Sequence, residues 1–111
     1  MKKDLLVYIA GPYSHPDPVE NTHNAVKVAD KLLEAGLVPY IPHLSLLWHA
    51  ISPKPYETWL AYDIAWLKVC NALLRLPGES SGADKEVVIA TDNGIPVFED
   101  VGELFTWSVN K

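Results

Sequence analysis

Four short apolar runs, "LLVYIA" (residues 5–10), "LVPYIP" (37–42), "ALLRL" (72–76) and "IPVF" (95–98), are separated by stretches with helical periodicity. That alternation constrains the fold more than any other feature. A run that is apolar at successive positions suits a strand covered on both faces. Strands alternating with helices predict a parallel sheet of four or five strands with helices on both sides. Right-handed crossovers leave a flavodoxin-like or Rossmann-like α/β fold of strand order 2-1-3-4 as the natural topology. In such a sheet, ligands bind beyond the C-terminal strand ends where the winding reverses, here between the first and third strands. This brings "GPYS" (11–14) beside "PGESSG" (77–82).

Between the strands, Asp17, Pro18 and Glu20 read as an N-cap, a first helical residue and a capping-box acid. The helix continues through "NTHNAVKVADKLLEA" with Val26, Ala29, Leu32 and Leu33 on one face, and Gly36 supplies its C-terminal cap. Pro39 places the second strand at an edge. "HLSLLWHAISPKP" (43–55) reads as a loop holding one helical turn. Helices are expected over residues 56–69 and about 83–92, the second closed by Asn93 and Gly94. Asp100 and Glu103 again have capping-box spacing.

The chain has 111 residues, 49% of them hydrophobic and four of them Trp, which suits one domain over residues 1–111 around one core. A formal net charge of -5 argues against a nucleic-acid polymer as partner, because that grip needs a basic surface. The single cysteine, Cys70, excludes an intrachain disulfide framework and suits a cytoplasmic protein. The N-terminal apolar run is too short for a signal segment or a membrane span, so no membrane association is expected. His15, His23, His43 and His49 lack metal-ligand spacing, and neither a metal nor a cofactor is expected.

Two carboxyl groups stand out. Asp63 falls in the middle of an apolar helical arc formed by Trp59, Leu60, Ile64, Trp66 and Leu67. Two readings are open: a capping or ion-paired residue with a neighbour such as Arg75, or a carboxyl aimed into a pocket with its pKa raised by burial. Glu86 follows "SSGADK", where Ser80 or Ser81 serves as N-cap and the acids either complement the helix dipole or include a nucleophile. A position near the helix N-terminus favours the ionised form. Gly11 allows a tight turn after the first strand, and Tyr13 and Ser14 offer hydroxyls there. His43 follows the second strand and can line the cleft. Trp48, Tyr56 and Trp59 are able to stack on a planar base or to pack in the core. Glu79, Asp84 and Lys85 read as surface residues.

In order along the chain, "YIAGPY", "YDIAWLKVCNALL" and "SSGADKEVVIATDNGIPV" resemble three motifs of the nucleoside 2-deoxyribosyltransferase superfamily. These are its first-strand glycine and tyrosine, its Asp-x-x-Trp-Leu helix, and its Ser-x-Gly-x-x-x-Glu signature before a Gly-(Ile/Lys)-Pro-Val strand. The chain is also similar to small bacterial and phage members of that group, particularly at "PYSHPDP". The resemblance spans residues 5–98. It implies Glu86 as nucleophile on the anomeric carbon of a (deoxy)ribose and Asp63 as the acid or orienting carboxyl for the leaving base. It further implies Ser80 and Gly82 as the turn holding a sugar hydroxyl or 5′-phosphate, with Gly11 and Tyr13 bordering the sugar. His43 and Trp48 complete the set of substrate-binding candidates.

The implied activity is cleavage or transfer of the N-glycosidic bond of a (deoxy)nucleoside or nucleoside 5′-monophosphate, the partner being that small molecule. A non-catalytic nucleotide-binding module or sensor using the same cleft is the alternative. The family also implies a homodimer or higher homo-oligomer, with the C-terminal "FTWSVNK" as a possible donor to a neighbouring site. The two-carboxylate chemistry of retaining glycosidases requires Asp63 and Glu86 to converge across one cleft.

Overall fold

Side chains of β1 (Leu6–Ala10) alternate between two covered faces in a computed structural model that describes residues 4–111. The first three residues of the expected 1–111 unit lie outside the described residues. Val7 and Ile9 join Ala72 and Leu74 of β3 (Ala72–Arg75) in a core with α1 (Pro18–Glu34) and α5 (Val101–Val109). Tyr8 and Ala10 join Leu73 in a second core with α3 (Tyr56–Leu67) and α4 (Ser81–Asp92). None of these strand side chains is more than 1% exposed, which is the physical reason for the unbroken apolar runs.

The sheet has four parallel strands in the order β2-β1-β3-β4, as the alternation predicts. The edge strands are β2 (Val38–Tyr40) and β4 (Val97–Phe98). Pro39 therefore sits where its missing N–H costs no ladder bond on the outer side. Asp17 caps α1 by accepting from the Val19 amide, and Gly36, at φ 92°, takes the chain out of that helix.

Three packing expectations are corrected. The buried face of α1 is Ala25, Ala29 and Leu32, whereas Val26 and Leu33 are exposed. Two small alanines let the helix lie close to the sheet, so the buried stripe is narrower than the apolar pattern. Residues 43–55 are not mainly loop: a 3-10 turn at Pro42–Leu44 leads into α2 (Ser45–Ile51). No residue of α2 is buried, and Leu47 and Ile51 are 70% and 78% exposed, so its periodicity does not report a core. In α3 only Leu67 is buried. Trp66 instead stacks on Tyr40 at the sheet edge, with ring centroids 5.5 Å apart and planes 20° from parallel. Among the described residues no helix is long and apolar enough to cross a membrane.

Candidate active site

The loops that leave β1 and β3 border a cleft of about 560 Å³ at the C-terminal end of the sheet. Their close approach depends on two glycines. A Cβ on Gly11 would stand 3.0 Å from Cβ of Leu76, and one on Gly78 would stand 2.7 Å from Cγ of Pro12. Gly78 also has φ +116°, a conformation that side chains other than hydrogen rarely adopt. Arg75 fastens the second loop by donating to the Leu76 carbonyl, to the Gly78 carbonyl at 3.0 Å and to Asp84 Oδ1 at 3.0 Å. Arg75 is thus the partner of Asp84 and not of Asp63.

Asp63 and Glu86 line this one cleft from the adjacent helices α3 and α4. Glu86 is buried, and its Oε2 accepts a hydrogen bond from the Tyr8 hydroxyl. Burial pushes its pKa up to about 7; the Tyr8 bond pulls it down, the Asp63 charge adds to the rise, and Arg75 opposes it. The helix terminus does not hold this carboxyl in its ionised form, contrary to the expectation from its position. Glu86 lies in the second turn of α4, beyond the unpaired N–H groups that carry the positive end of the dipole, and desolvation prevails.

Asp63 receives the equivalent contact from the neighbouring strand. The Tyr40 hydroxyl donates to Asp63 Oδ1 at 3.3 Å, and burial pushes the carboxyl up to about 7 against that bond. Tyr8 and Tyr40 are register partners in the β1–β2 ladder, with rings stacked at 5.5 Å and 29°. Burial, reinforced by the adjacent carboxyls, raises both phenol pKa values strongly, so both remain O–H donors. Two carboxyls that repel each other lose their protons in coupled steps. Near neutral pH the pair can therefore hold one proton, leaving one acid and one base in the same cleft.

The other sequence candidates divide. Gly11, Tyr13, Ser80, Gly82 and His43 line the cleft. Ser80 is the N-cap of α4; its Oγ accepts from the Ala83 amide at 3.0 Å, and its hydroxyl hydrogen is left for another acceptor. The His43 ring is 3% exposed and stands edge-on to Tyr13. Its Nε2–H donates to the Pro12 carbonyl at 3.0 Å, and burial lowers its pKa and keeps it neutral. Its Nδ1 is the one buried side-chain nitrogen or oxygen without a hydrogen-bond partner among the described residues. Trp48 does not line the cleft; it stands behind Trp59, edge-on at 5.0 Å.

Sequence reasoning overlooked Tyr8 and Tyr40; Glu79 and Lys85, read as surface residues, are exposed and also border the cleft. One signal was available. A tyrosine inside a doubly covered strand must find a partner for its hydroxyl, which points to a polar group on that face of the sheet. His49 and Lys54 also line the cleft, and both come from the segment read as loop. At the C-terminus, Phe105 and Trp107 pack against the chain's own core, Trp107 lying 5.5 Å from Phe98.

A family model described as a domain of unknown function, DUF7768, matches residues 5–100. No curated protein matches the sequence. Among solved structures, the fold is similar to that of a 2-desoxiribosyltransferase from Leishmania mexicana, with a TM-score of 0.64 and 22% identity. That match covers 84% of this chain and 61% of the Leishmania protein, so the chain spans less than two thirds of that relative's length. A 2-deoxyribosyltransferase from the psychrotolerant bacterium Bacillus psychrosaccharolyticus is similar at a TM-score of 0.64 and 15% identity, covering 86% of this chain and 75% of that one. At these identities the likeness is one of fold: the four-stranded parallel sheet of order 2-1-3-4 with its helices.

Proposed function

The chain belongs to the DUF7768 domain family, and from that premise and the cleft chemistry we propose that it cleaves or transfers the N-glycosidic bond of a (deoxy)nucleoside or nucleoside 5′-monophosphate. The observation that carries this reading is the pairing of Asp63 and Glu86 in one cleft, each carboxyl bonded to a tyrosine of the sheet and each pushed up to about 7. A purely structural role gives no reason to bury two repelling carboxyls at the open end of a sheet. The shared fold of the two 2-deoxyribosyltransferases supports the same class of reaction.

In the proposed mechanism, a Glu86 carboxylate oxygen attacks C1′ of the sugar as the C1′–N bond breaks. The bonding electron pair leaves with the base, and Asp63 in its protonated form delivers a proton to it. Water or a second base then attacks C1′ of the glycosyl ester and releases Glu86, while Asp63 takes the incoming proton. Tyr8 positions the nucleophile and Tyr40 positions the acid. Gly11, Tyr13, Ser80, Gly82 and His43 surround the sugar, with the Ser80 hydroxyl free to donate to one of its oxygens. The same reading takes residues 1–111 as one such unit in the cytoplasm, working as a homodimer or higher homo-oligomer.

Incubation with a panel of nucleosides and nucleoside 5′-monophosphates, with free base measured by chromatography, tests the proposal. At least one substrate is expected to release base, and Glu86→Gln is expected to abolish release without abolishing binding. Tight nucleotide binding with no release by the native protein would turn the assignment toward a non-catalytic sensor.

A further inference from the structure

One face of α3 supplies a wall of the cleft, with Tyr56, Trp59, Leu60 and Asp63 at helical spacing. His49, from the end of α2, lies beside this wall. Its Nδ1 accepts two hydrogen bonds, from the Trp59 indole Nε1–H at 2.8 Å and from the Lys54 backbone amide at 3.2 Å. A ring nitrogen that accepts from two N–H groups carries no proton. The hydrogen of the neutral ring is therefore on Nε2, and the one polar atom this cleft-lining ring has left to offer is a donor. The indole that fixes this tautomer is itself fixed, because Trp48 and Tyr62 stand edge-on to Trp59 at 5.0 and 6.1 Å. The neighbouring Lys54 also borders the cleft, and its ammonium, which donates to Ser52 Oγ at 3.2 Å, is likewise a group that only donates.

We propose that His49, held as its Nε2–H tautomer by Trp59 and the Lys54 amide, selects leaving bases that present a carbonyl oxygen at this wall. The favoured substrates are oxo-bases, of the uracil, thymine or hypoxanthine kind, over their amino counterparts cytosine and adenine. The physical basis is a mismatch of donors. An exocyclic amino group would meet the His49 N–H as donor against donor and leave both unpaired, whereas a carbonyl accepts from it. This inference rests on the N-glycosidic reading for its choice of ligand class, but not on Glu86 chemistry.

Two measurements on the intact protein separate the two readings. In the first, binding and base release are compared for the pairs inosine/adenosine, deoxyinosine/deoxyadenosine, and thymidine/deoxycytidine. An oxo preference of about tenfold is expected in both, a magnitude that matches one unpaired donor at a half-exposed site. Glu86→Gln is expected to remove release and keep the binding preference, while His49→Phe weakens the oxo member of each pair and brings the pair to within about twofold. In the second, nitrogen NMR of the imidazole is expected to show the Nε2–H tautomer, and Trp59→Phe to mix the two neutral tautomers. Base release with an amino preference, or with a ratio unchanged by His49→Phe, overturns the base assignment and leaves the N-glycosidic reading intact. An oxo preference in binding with no release overturns that reading and leaves the base assignment standing. Failure of every nucleoside to bind overturns both.

Discussion

The Tyr8 hydroxyl, buried in the central strand pair, donates a hydrogen bond to Oε2 of Glu86 across 78 residues of sequence. Tyr40, its partner in the ladder, does the same for Asp63. A stacked pair of phenols on adjacent strands thus holds a pair of carboxyls on adjacent helices, and each phenol pulls down a carboxyl pKa that burial raises.

Tyr8→Phe removes the contact that lowers the Glu86 pKa. With the donor gone, that pKa rises and a smaller fraction of Glu86 is ionised at a given pH. Base release near pH 6 is expected to fall about tenfold, a typical loss for one charge-assisted hydrogen bond. The acid limb of the pH–rate profile is expected to move to higher pH. A profile that drops in height without moving would mean that Tyr8 serves only as packing.

Because both carboxyls are pushed up to about 7, the proposed reaction is expected to follow a narrow bell in pH centred near neutrality. Asp63→Asn removes the proton donor and should lower release from poor leaving groups about a hundredfold. The alkaline limb is expected to disappear with it. Measuring kcat/KM from pH 5 to 9 for both proteins checks each point.

Stability is expected to follow the same groups. The Glu86 pKa is raised on folding from an ordinary 4.5 to about 7, so its contribution is fully present below pH 4.5 and is lost as pH rises through 7. Between these limits the unfolded chain ionises this group and the folded chain does not. The free energy of unfolding should therefore fall over that interval, by about 3 kcal/mol from Glu86. Urea titrations at pH 4.5 and 8 are expected to show this slope, and Glu86→Gln to reduce it to the part that Asp63, also pushed up to about 7, contributes.

Gly78→Ala places a methyl group 2.7 Å from Cγ of Pro12 on a backbone at φ +116°. Together these strains are expected to destabilise the protein by about 1–3 kcal/mol. They should also loosen the meeting of the two cleft loops. Thermal unfolding checks the first expectation, and weakened nucleoside binding with unchanged secondary structure checks the second.

α2 exposes Leu47 and Ile51, and the turn before it exposes Leu44. If this surface joins copies of the chain, as the oligomeric reading has it, sedimentation should find a dimer or larger assembly. Leu47→Glu with Ile51→Glu should then give a monomer. A native monomer at micromolar concentration would end that reading.

Strand order was legible because four apolar runs separated by capped helices admit few right-handed topologies. Glu86 and Asp63 were legible as anomalies, each a carboxyl beside apolar positions. The second tier of the site was not. Tyr8 hid inside a run read as uniformly apolar, although its ring is core and only its oxygen is chemistry. Tyr40 lies on an edge strand whose hydroxyl direction depends on where α3 crosses. α2 escaped because its apolar residues face outward, and His49 escaped with it: its tautomer is set by two donors at sequence distances of five and ten residues, which no periodicity encodes.

β2 is three residues long, pairs on one side only, and runs directly into the turn that carries His43. Its Tyr40 also bonds Asp63 and partly offsets the rise that burial gives the pKa of that carboxyl. The proposed acid is thereby tied to a short edge strand of the sheet. A ligand gripping the His43 turn pulls on the lever that holds the acid, and fraying of that edge would detune the reaction before the core yielded.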